Sequence, residues 1–272
     1  MGVEQIRANG ISMGYRVDGL SSAPILLLSN GLATDMSMWD DQVAHFSSRY
    51  RIVRYDTRGH GDTPATAPPY TLSVLVEDLR SLLDALGANK VHFVGMSLGG
   101  MIGQLFAVRY PGRLLSLSLC DTAARMKRET WEGRIKQATV EGVAPLVEPS
   151  LVRWFTEPFR VTNPDLMDRV RRMINRTSTD GYVGCAGVVM AMDHVDHLAR
   201  ISTPTLVVVG RHDVSTPLSE AELMHANIAG STLSVIEDAS HLPNIEQAVE
   251  FNKILEAFLA AQDLAHRREA MQ

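Results

Sequence analysis

The stretch that most constrains this chain is Val91-His92-Phe93-Val94-Gly95-Met96-Ser97-Leu98-Gly99-Gly100-Met101-Ile102-Gly103. It opens as an apolar run of strand type, passes through Gly-x-Ser-x-Gly, and continues as small and apolar residues at helical spacing. That is the pattern of a nucleophile elbow, in which a strand, a tight turn carrying serine and a helix follow one another without a linker. Gly95 and Gly99 stand two residues either side of Ser97, where a Cβ would collide as strand and helix cross. Small neighbours let Ser97 take an unfavourable backbone conformation with its hydroxyl facing a cleft. The helix behind Ser97 offers free N–H groups and a positive dipole end.

Strand–helix alternation extends over most of the chain. Val3 to Ala8 and Ile11 to Val17 predict a hairpin turned at Asn9-Gly10. Ile25-Leu26-Leu27-Leu28 lacks alternation, as a strand buried on both faces would. Arg51–Tyr55, Val91 onward, Leu114–Cys120, Thr205–Gly210 and Thr232–Ile236 complete eight expected strands. Leu72, Leu75, Val76, Leu79, Leu82, Leu83 and Leu86 repeat at three and four, marking an amphipathic helix that Gly87 ends. Further helices are expected over Trp39–Phe46, after the elbow as far as Pro111, over Pro217–Asn227 and over Glu246–Ala261, with a frayed polar tail beyond. The rhythm stops from about 122 to 200. The expectation is an α/β core of residues 1–121 and 201–272, built on a mostly parallel sheet with helices on both faces, and a helical cap inserted at 122–200.

Composition narrows the chemistry. The net charge is −5 over 272 residues, with no basic footprint for nucleic acid. No apolar run reaches membrane-spanning length. The N-terminal ten residues lack a signal-peptide h-region, and Met1-Gly2 lacks the Ser or Thr that myristoylation needs, since Ile6 stands there. Asn175-Arg176-Thr177 matches a glycosylation acceptor that a cytoplasmic protein would leave unused. Cys120 and Cys185 form neither a disulfide framework nor a metal spacing. A cytoplasmic enzyme acting on a small molecule, with no nucleic-acid or membrane partner, is the expectation; self-association is left open.

A serine hydroxyl needs a base, and the base needs an orienting acid. In a strand–elbow–helix fold these partners follow in the order serine, acid, histidine, each at a strand end. Asp213, in Gly210-Arg211-His212-Asp213, and His241, in Asp238-Ala239-Ser240-His241, meet that order. Asp121 also ends a strand and competes with Asp213 for the acid, though a capping role at the cap entry suits it better. His60 lies in a turn and His92 inside a strand, both weaker as bases. Two backbone N–H groups should form the oxyanion hole: Leu98, directly after the nucleophile, and Leu32, with Gly31 behind it. Asp193-His194-Val195-Asp196-His197 packs metal-type ligands together, but nothing nearby completes a catalytic shell. It reads as a polar cap face, and neither metal nor cofactor is expected.

With these residues in view, the chain resembles the α/β-hydrolases, and within them the 3-oxoadipate enol-lactonases. The resemblance rests on Leu28-Ser29-Asn30-Gly31-Leu32-Ala33-Thr34-Asp35, Arg54-Tyr55-Asp56-Thr57-Arg58-Gly59-His60-Gly61, the elbow, Thr122-Ala123-Ala124-Arg125, Arg153-Trp154-Phe155-Thr156 and Ser240-His241-Leu242-Pro243-Asn244-Ile245-Glu246-Gln247. Two positions depart: the family more often has Asn at Asp121 and Ser at Gly31. The second touches the oxyanion loop and bears on substrate preference. The resemblance implies hydrolysis of a carboxylate-bearing enol-lactone in aromatic breakdown, through an acyl-enzyme on Ser97 and without a cofactor. Esterases, other lactonases and carbon–carbon bond hydrolases share the same triad, and fold alone does not separate them.

An anionic substrate needs a cationic partner. Residues 122–200 carry 12 Lys plus Arg against 10 Asp plus Glu, whereas the remainder carries 14 against 21. The cap is thus the positive part of a negative chain, which favours steering of an anion. Arg125, Arg134 and Arg153 are the candidate carboxylate binders. Trp131 and Trp154 are candidate pocket walls, and Met96 a candidate lining residue beside the nucleophile.

Overall fold

The computed structural model describes residues 2–270. Its eight strands are β1 (Glu4–Ala8), β2 (Ile11–Gly19), β3 (Ile25–Ser29), β4 (Arg51–Tyr55), β5 (Val91–Met96), β6 (Leu114–Cys120), β7 (Thr205–Gly210) and β8 (Thr232–Ile236). They form one sheet in the order β1-β2-β4-β3-β5-β6-β7-β8. β1 and β2 pair antiparallel, as do β2 and β4, and every later pairing is parallel. The β1–β2 hairpin turns on Asn9 and Gly10, both at positive φ, as a two-residue turn requires. The parallel strands β5 and β7 are buried along their whole length, which explains their unalternated apolar sequence.

The helices are α1 (Asp40–Phe46), α2 (Leu72–Ala85), α3 (Leu98–Arg109), α4 (Arg128–Glu141), α5 (Val147–Trp154), α6 (Glu157–Thr162), α7 (Pro164–Asn175), α8 (Thr179–Met190), α9 (Leu218–Asn227), α10 (Pro243–Glu246) and α11 (Ala248–Ala270). Five of them, α4 to α8, lie between β6 and β7. Two sequence expectations need correction. The helix expected from Glu246 is two helices, α10 and α11. The expected frayed tail is helical as far as Ala270, with the last two residues outside the described part. Side-chain anchoring explains the extension. Asp263 accepts from the Tyr50 hydroxyl at 2.6 Å and contacts the buried His92 ring at 3.1 Å, tying the last helix to the sheet.

The segment between β6 and β7 docks on the core through a close backbone crossing. Ser178 donates both its N–H and its hydroxyl to the Gly59 carbonyl, each at 3.0 Å. A Cβ at Gly181 would lie 2.3 Å from the Gly59 oxygen and 2.5 Å from its Cα, so only glycine permits this approach. Arg176 adds ion pairs to Asp35 at 3.2 Å and Asp62 at 2.9 Å. Gly187, on the same helix, has open space where a Cβ would stand. Gly181→Ala is expected to lower stability by about 1–3 kcal/mol through overpacking. Gly187→Ala is expected to be neutral or to raise it by up to about 1 kcal/mol through helix propensity. Thermal unfolding of the two variants checks the contrast.

Candidate active site

The elbow is built by steric exclusion. Ser97 sits at φ 53°, ψ −113°, between the end of β5 and the first residue of α3. Such a conformation costs on the order of 1–3 kcal/mol and persists only where its surroundings impose it. Here they do. A Cβ at Gly95 would meet the Gly99 carbonyl carbon at 2.5 Å, and one at Gly99 would meet the Ser29 oxygen at 2.3 Å. Strand, helix and oxyanion loop therefore touch backbone to backbone. Ser97 N–H donates to the Cys120 carbonyl at 2.9 Å, fixing the turn to the neighbouring strand. Leu98 opens α3, and first-turn N–H groups have no acceptor within their own helix.

His241 and Asp213 meet as the chain order anticipates. His241 Nδ1 lies 2.8 Å from Asp213 Oδ2, and both residues are buried. Asp213 is held from four sides. Its Oδ1 accepts the N–H groups of Ser215 at 2.7 Å and Thr216 at 3.1 Å, while the Thr216 hydroxyl donates to Oδ2 at 2.6 Å. Burial alone would raise this carboxyl, but the contact with His241 and the Thr216 bonds override it and hold Asp213 below the ordinary carboxylate range. His241 and Ser97 line the same cavity. Residues 97 and 241 thus share one cavity, with Asp213 bonded to His241, although two long segments separate the three in sequence.

The oxyanion loop is supported from beneath. Trp39 Nε1–H donates to Asn30 Oδ1 at 2.9 Å, and the Asn30 amide donates to the Tyr55 carbonyl at 2.9 Å. Ala33, at φ 60°, donates its N–H to His60 Nε2 at 3.0 Å, and His60 Nδ1 lies 3.1 Å from the Arg58 carbonyl. His60 therefore carries its proton on Nδ1 and accepts at Nε2. Complete burial pushes its pKa down to about 4, so it stays neutral in ordinary buffers. His60 is a support for the loop that presents Leu32, a role its position in the sequence does not reveal. Leu32 lines the cavity, and a Cβ at Gly31 would lie 3.4 Å from the Ser97 Cβ, a distance a small side chain tolerates.

The remaining wall comes from helices α4, α5 and α8. Trp131, Arg134, Arg153 and Trp154 line the cavity, as anticipated. Arg125 does not. Its side chain is 58% exposed and pairs with Glu220 at 3.5 Å, and its backbone bridges to Asp193, so it belongs to the outer surface. Met96 is fully buried at the end of β5 and packs in the core instead of lining the cavity. Tyr182 and Ser215 line it without any sequence signal. The Arg153–Thr156 segment is pinned to the His241 loop. Ser240 donates its hydroxyl to the Arg153 carbonyl at 2.8 Å, and Glu246 accepts the N–H groups of Thr156 at 2.9 Å and Ser240 at 2.8 Å.

The electrostatics of this wall are uncompensated. Among the described residues, the lining contains two arginines and neither Asp nor Glu. Arg134 lies 4.8 Å over the Trp131 ring, and Arg153 donates to the Ser150 hydroxyl at 3.0 Å. Burial and the neighbouring Arg134 charge lower Arg153 to about 10, and burial also lowers Arg134. Arg153 Nε, Trp131 Nε1 and Ser215 Oγ are buried with no protein acceptor. Unpaired buried donors and charges are costly, and an anionic ligand removes that cost.

Asp121 stands where β6 passes into the inserted segment, but its side chain caps nothing there: Oδ1 accepts the Gly210 N–H at 2.8 Å, on the side of Asp213. Asp121, Asp213 and His241 form the one group of three such side chains, among the described residues, with atoms close enough to share a metal ion. A cation there would compete for the bond that orients His241. The Asp193–His197 cluster instead packs its two imidazoles edge to face at 5.2 Å.

This geometry defines a hydrolase, and comparison with known proteins agrees. Residues 24–248 match the family model of the alpha/beta hydrolase fold, and the chain belongs to that family. It is similar to two proteins of Acinetobacter baylyi. 3-Oxoadipate enol-lactonase 2 is 33% identical over 257 residues, covering 94% of this chain and 96% of that one. 3-Oxoadipate enol-lactonase 1 is 36% identical over 251 residues, covering 92% and 94%. The crystal structure of the enol-lactonase from Burkholderia xenovorans matches with a TM-score of 0.93 at 36% identity, covering 94% of this chain and all of that one.

Removing the His60 support tests the loop. His60→Ala is expected to lower kcat roughly tenfold or more by freeing the Ala33 N–H and misplacing one oxyanion donor, whose full loss costs roughly 100- to 1000-fold. Steady-state kinetics alongside thermal unfolding separates this effect from loss of fold.

Proposed function

We propose that this hydrolase opens a small enol-lactone bearing a carboxylate, of the 3-oxoadipate enol-lactone type. The observation that carries the reading is the pair of uncompensated arginines, Arg134 and Arg153, on the wall of the cavity that holds Ser97 and His241. The likeness to the enol-lactonases supports it.

In this reading the substrate carboxylate lies against the arginines and the lactone carbonyl over Ser97. His241 takes the Ser97 proton as Oγ attacks the carbonyl carbon. The oxyanion is held by the N–H groups of Leu98 and Leu32. The tetrahedral intermediate collapses and the ring C–O bond breaks. The leaving enolate takes the proton from His241 and tautomerises to a ketone still tethered to the acyl group. A water molecule, losing a proton to His241, attacks the ester. Ser97 leaves with that proton, and the opened keto acid is released. Asp213 keeps the imidazole oriented and balances its positive charge while it is protonated.

The tryptophan walls of the cavity suit a small, flat ring. The Arg134–Trp131 stack orients one guanidinium, and a guanidinium can hold a carboxylate in a bidentate manner.

Ser97→Ala is expected to abolish hydrolysis while leaving the melting temperature within a few degrees of the parent; retained turnover would refute the triad. Arg153→Met and Arg134→Met are each expected to raise KM for the carboxylate-bearing lactone roughly ten- to a hundredfold, the value of a charged hydrogen bond. KM for a neutral ester should change less than about threefold, because no charged contact is lost. Equal effects on both substrates would remove the anionic specificity.

A further inference from the structure

The group behind the triad contains one carboxyl more than that chemistry uses. Asp121 follows β6 at φ 41°, a left-handed conformation for a non-glycine residue, and is 1% exposed. Its N–H donates to the Val208 carbonyl at 2.9 Å, and its Oδ1 accepts the Gly210 N–H at 2.8 Å. Its Oδ2 is buried and receives no donor. One side-chain atom each of Asp121, Asp213 and His241 lie within 4.8 Å of one another.

Two buried carboxyls at this separation do not both ionise, and the donors decide which one keeps the charge. Asp213 collects four donors: two N–H groups, the Thr216 hydroxyl and the His241 ring. Asp121 collects one. Asp213 is therefore the anion, and Asp121 keeps a proton on the oxygen that no donor reaches. A carboxyl oxygen of Asp213 lies within 4.8 Å of one of Asp121, which makes the Asp213 carboxylate the nearest anion to that proton.

We propose that Asp121 is a neutral carboxylic acid that donates its O–H to Asp213, and that it becomes the partner of His241 when the charge on Asp213 is removed. It is a positioning residue, since it acts through Asp213 and touches no reacting atom. The charged and titratable groups that face it agree. Asp213 and Glu246 are further carboxyls, and Cys120 is a buried thiol. Burial and then the Asp213 charge push Asp121 well above the ordinary carboxylate range. Loss of the Asp213 charge leaves Asp121 as the carboxyl beside His241, free to release its proton to solvent and pair with the imidazole.

The inference rests on the Ser97–His241–Asp213 reading, and the experiment keeps the two apart. Single and double variants at 121 and 213 are assayed with a neutral ester and with a serine-directed fluorophosphonate, and Ser97→Ala is run beside them. Asp121→Asn keeps both an acceptor for Gly210 and a donor for Asp213, so kcat should fall about threefold. Asp121→Ala loses both and should fall roughly thirtyfold, the size of a hydrogen bond to a charged group. Asp213→Asn alone should fall about a hundredfold. Asp121→Asn combined with Asp213→Asn should fall roughly ten-thousandfold, the loss expected when no acid orients the base. Infrared difference spectra of the parent against Asp121→Asn at neutral pH should show the carbonyl stretch of a protonated carboxylic acid, a readout that holds even if kinetics is compromised by misfolding.

Equal losses in Asp213→Asn and the double variant, or carboxylate bands in place of the acid carbonyl, would overturn the role of Asp121 and leave the triad intact. Turnover by Ser97→Ala would overturn the triad itself.

Discussion

The crossing of β5 and α3 is the constraint from which the rest of the site follows. Backbone meets backbone at Gly95 and Gly99, and the oxyanion loop packs against the same point through Ser29. This contact forces Ser97 to positive φ at the edge of the cavity. It also places the first N–H of α3 beside the loop that carries Leu32. The parallel register then brings the ends of β6, β7 and β8 to the same edge, where Asp121, Asp213 and His241 follow. One steric condition thus sets the position of Ser97 and of the Leu98 and Leu32 N–H groups proposed as oxyanion donors, and the sheet brings Asp213 and His241 to the same edge.

Charge is separated across the cavity. On the sheet side, Asp213 and Asp121 stand behind His241, and Glu246 ties the His241 loop to Thr156. On the helical side, Arg134 and Arg153 have no carboxylate among the lining residues, and burial together with the Arg134 charge depresses Arg153. In the proposed reaction the first arrangement balances the imidazolium formed on His241. The second raises the energy of the free pocket and lowers that of the pocket with an anion in it. The Ser240 and Glu246 bonds to the Arg153–Thr156 segment keep these halves in register.

The eight strands, the glycine-framed elbow and the placing of Asp213 and His241 at strand ends were legible because each is written locally: apolar runs, glycine spacing, the turns that follow strands. The facing of the cap residues was not. Helix α4 buries only a narrow stripe, Trp131, Ile135 and Ala138, and that stripe does not tell which charged residue beside it enters the cavity. Arg125 looks equivalent on paper and is removed only by Glu220, about a hundred residues away. His60 and Asp121 were visible as residues but not as roles, since both roles depend on which backbone group or carboxyl a distant segment delivers. The long last helix was hidden for the same reason: its anchor, Asp263, meets Tyr50 and His92 from the far end of the chain.

The central claim is that half-buried positive charge with no carboxylate partner, on Arg134 and Arg153, selects the substrate of a serine-based hydrolase. The most direct measurement is kcat/KM of the unmodified protein for a carboxylate-bearing enol-lactone and for the methyl ester of that same carboxylate. Loss of a charge-assisted contact predicts a preference for the free acid of roughly a hundredfold. Equal values, or a preference for the methyl ester, would contradict it.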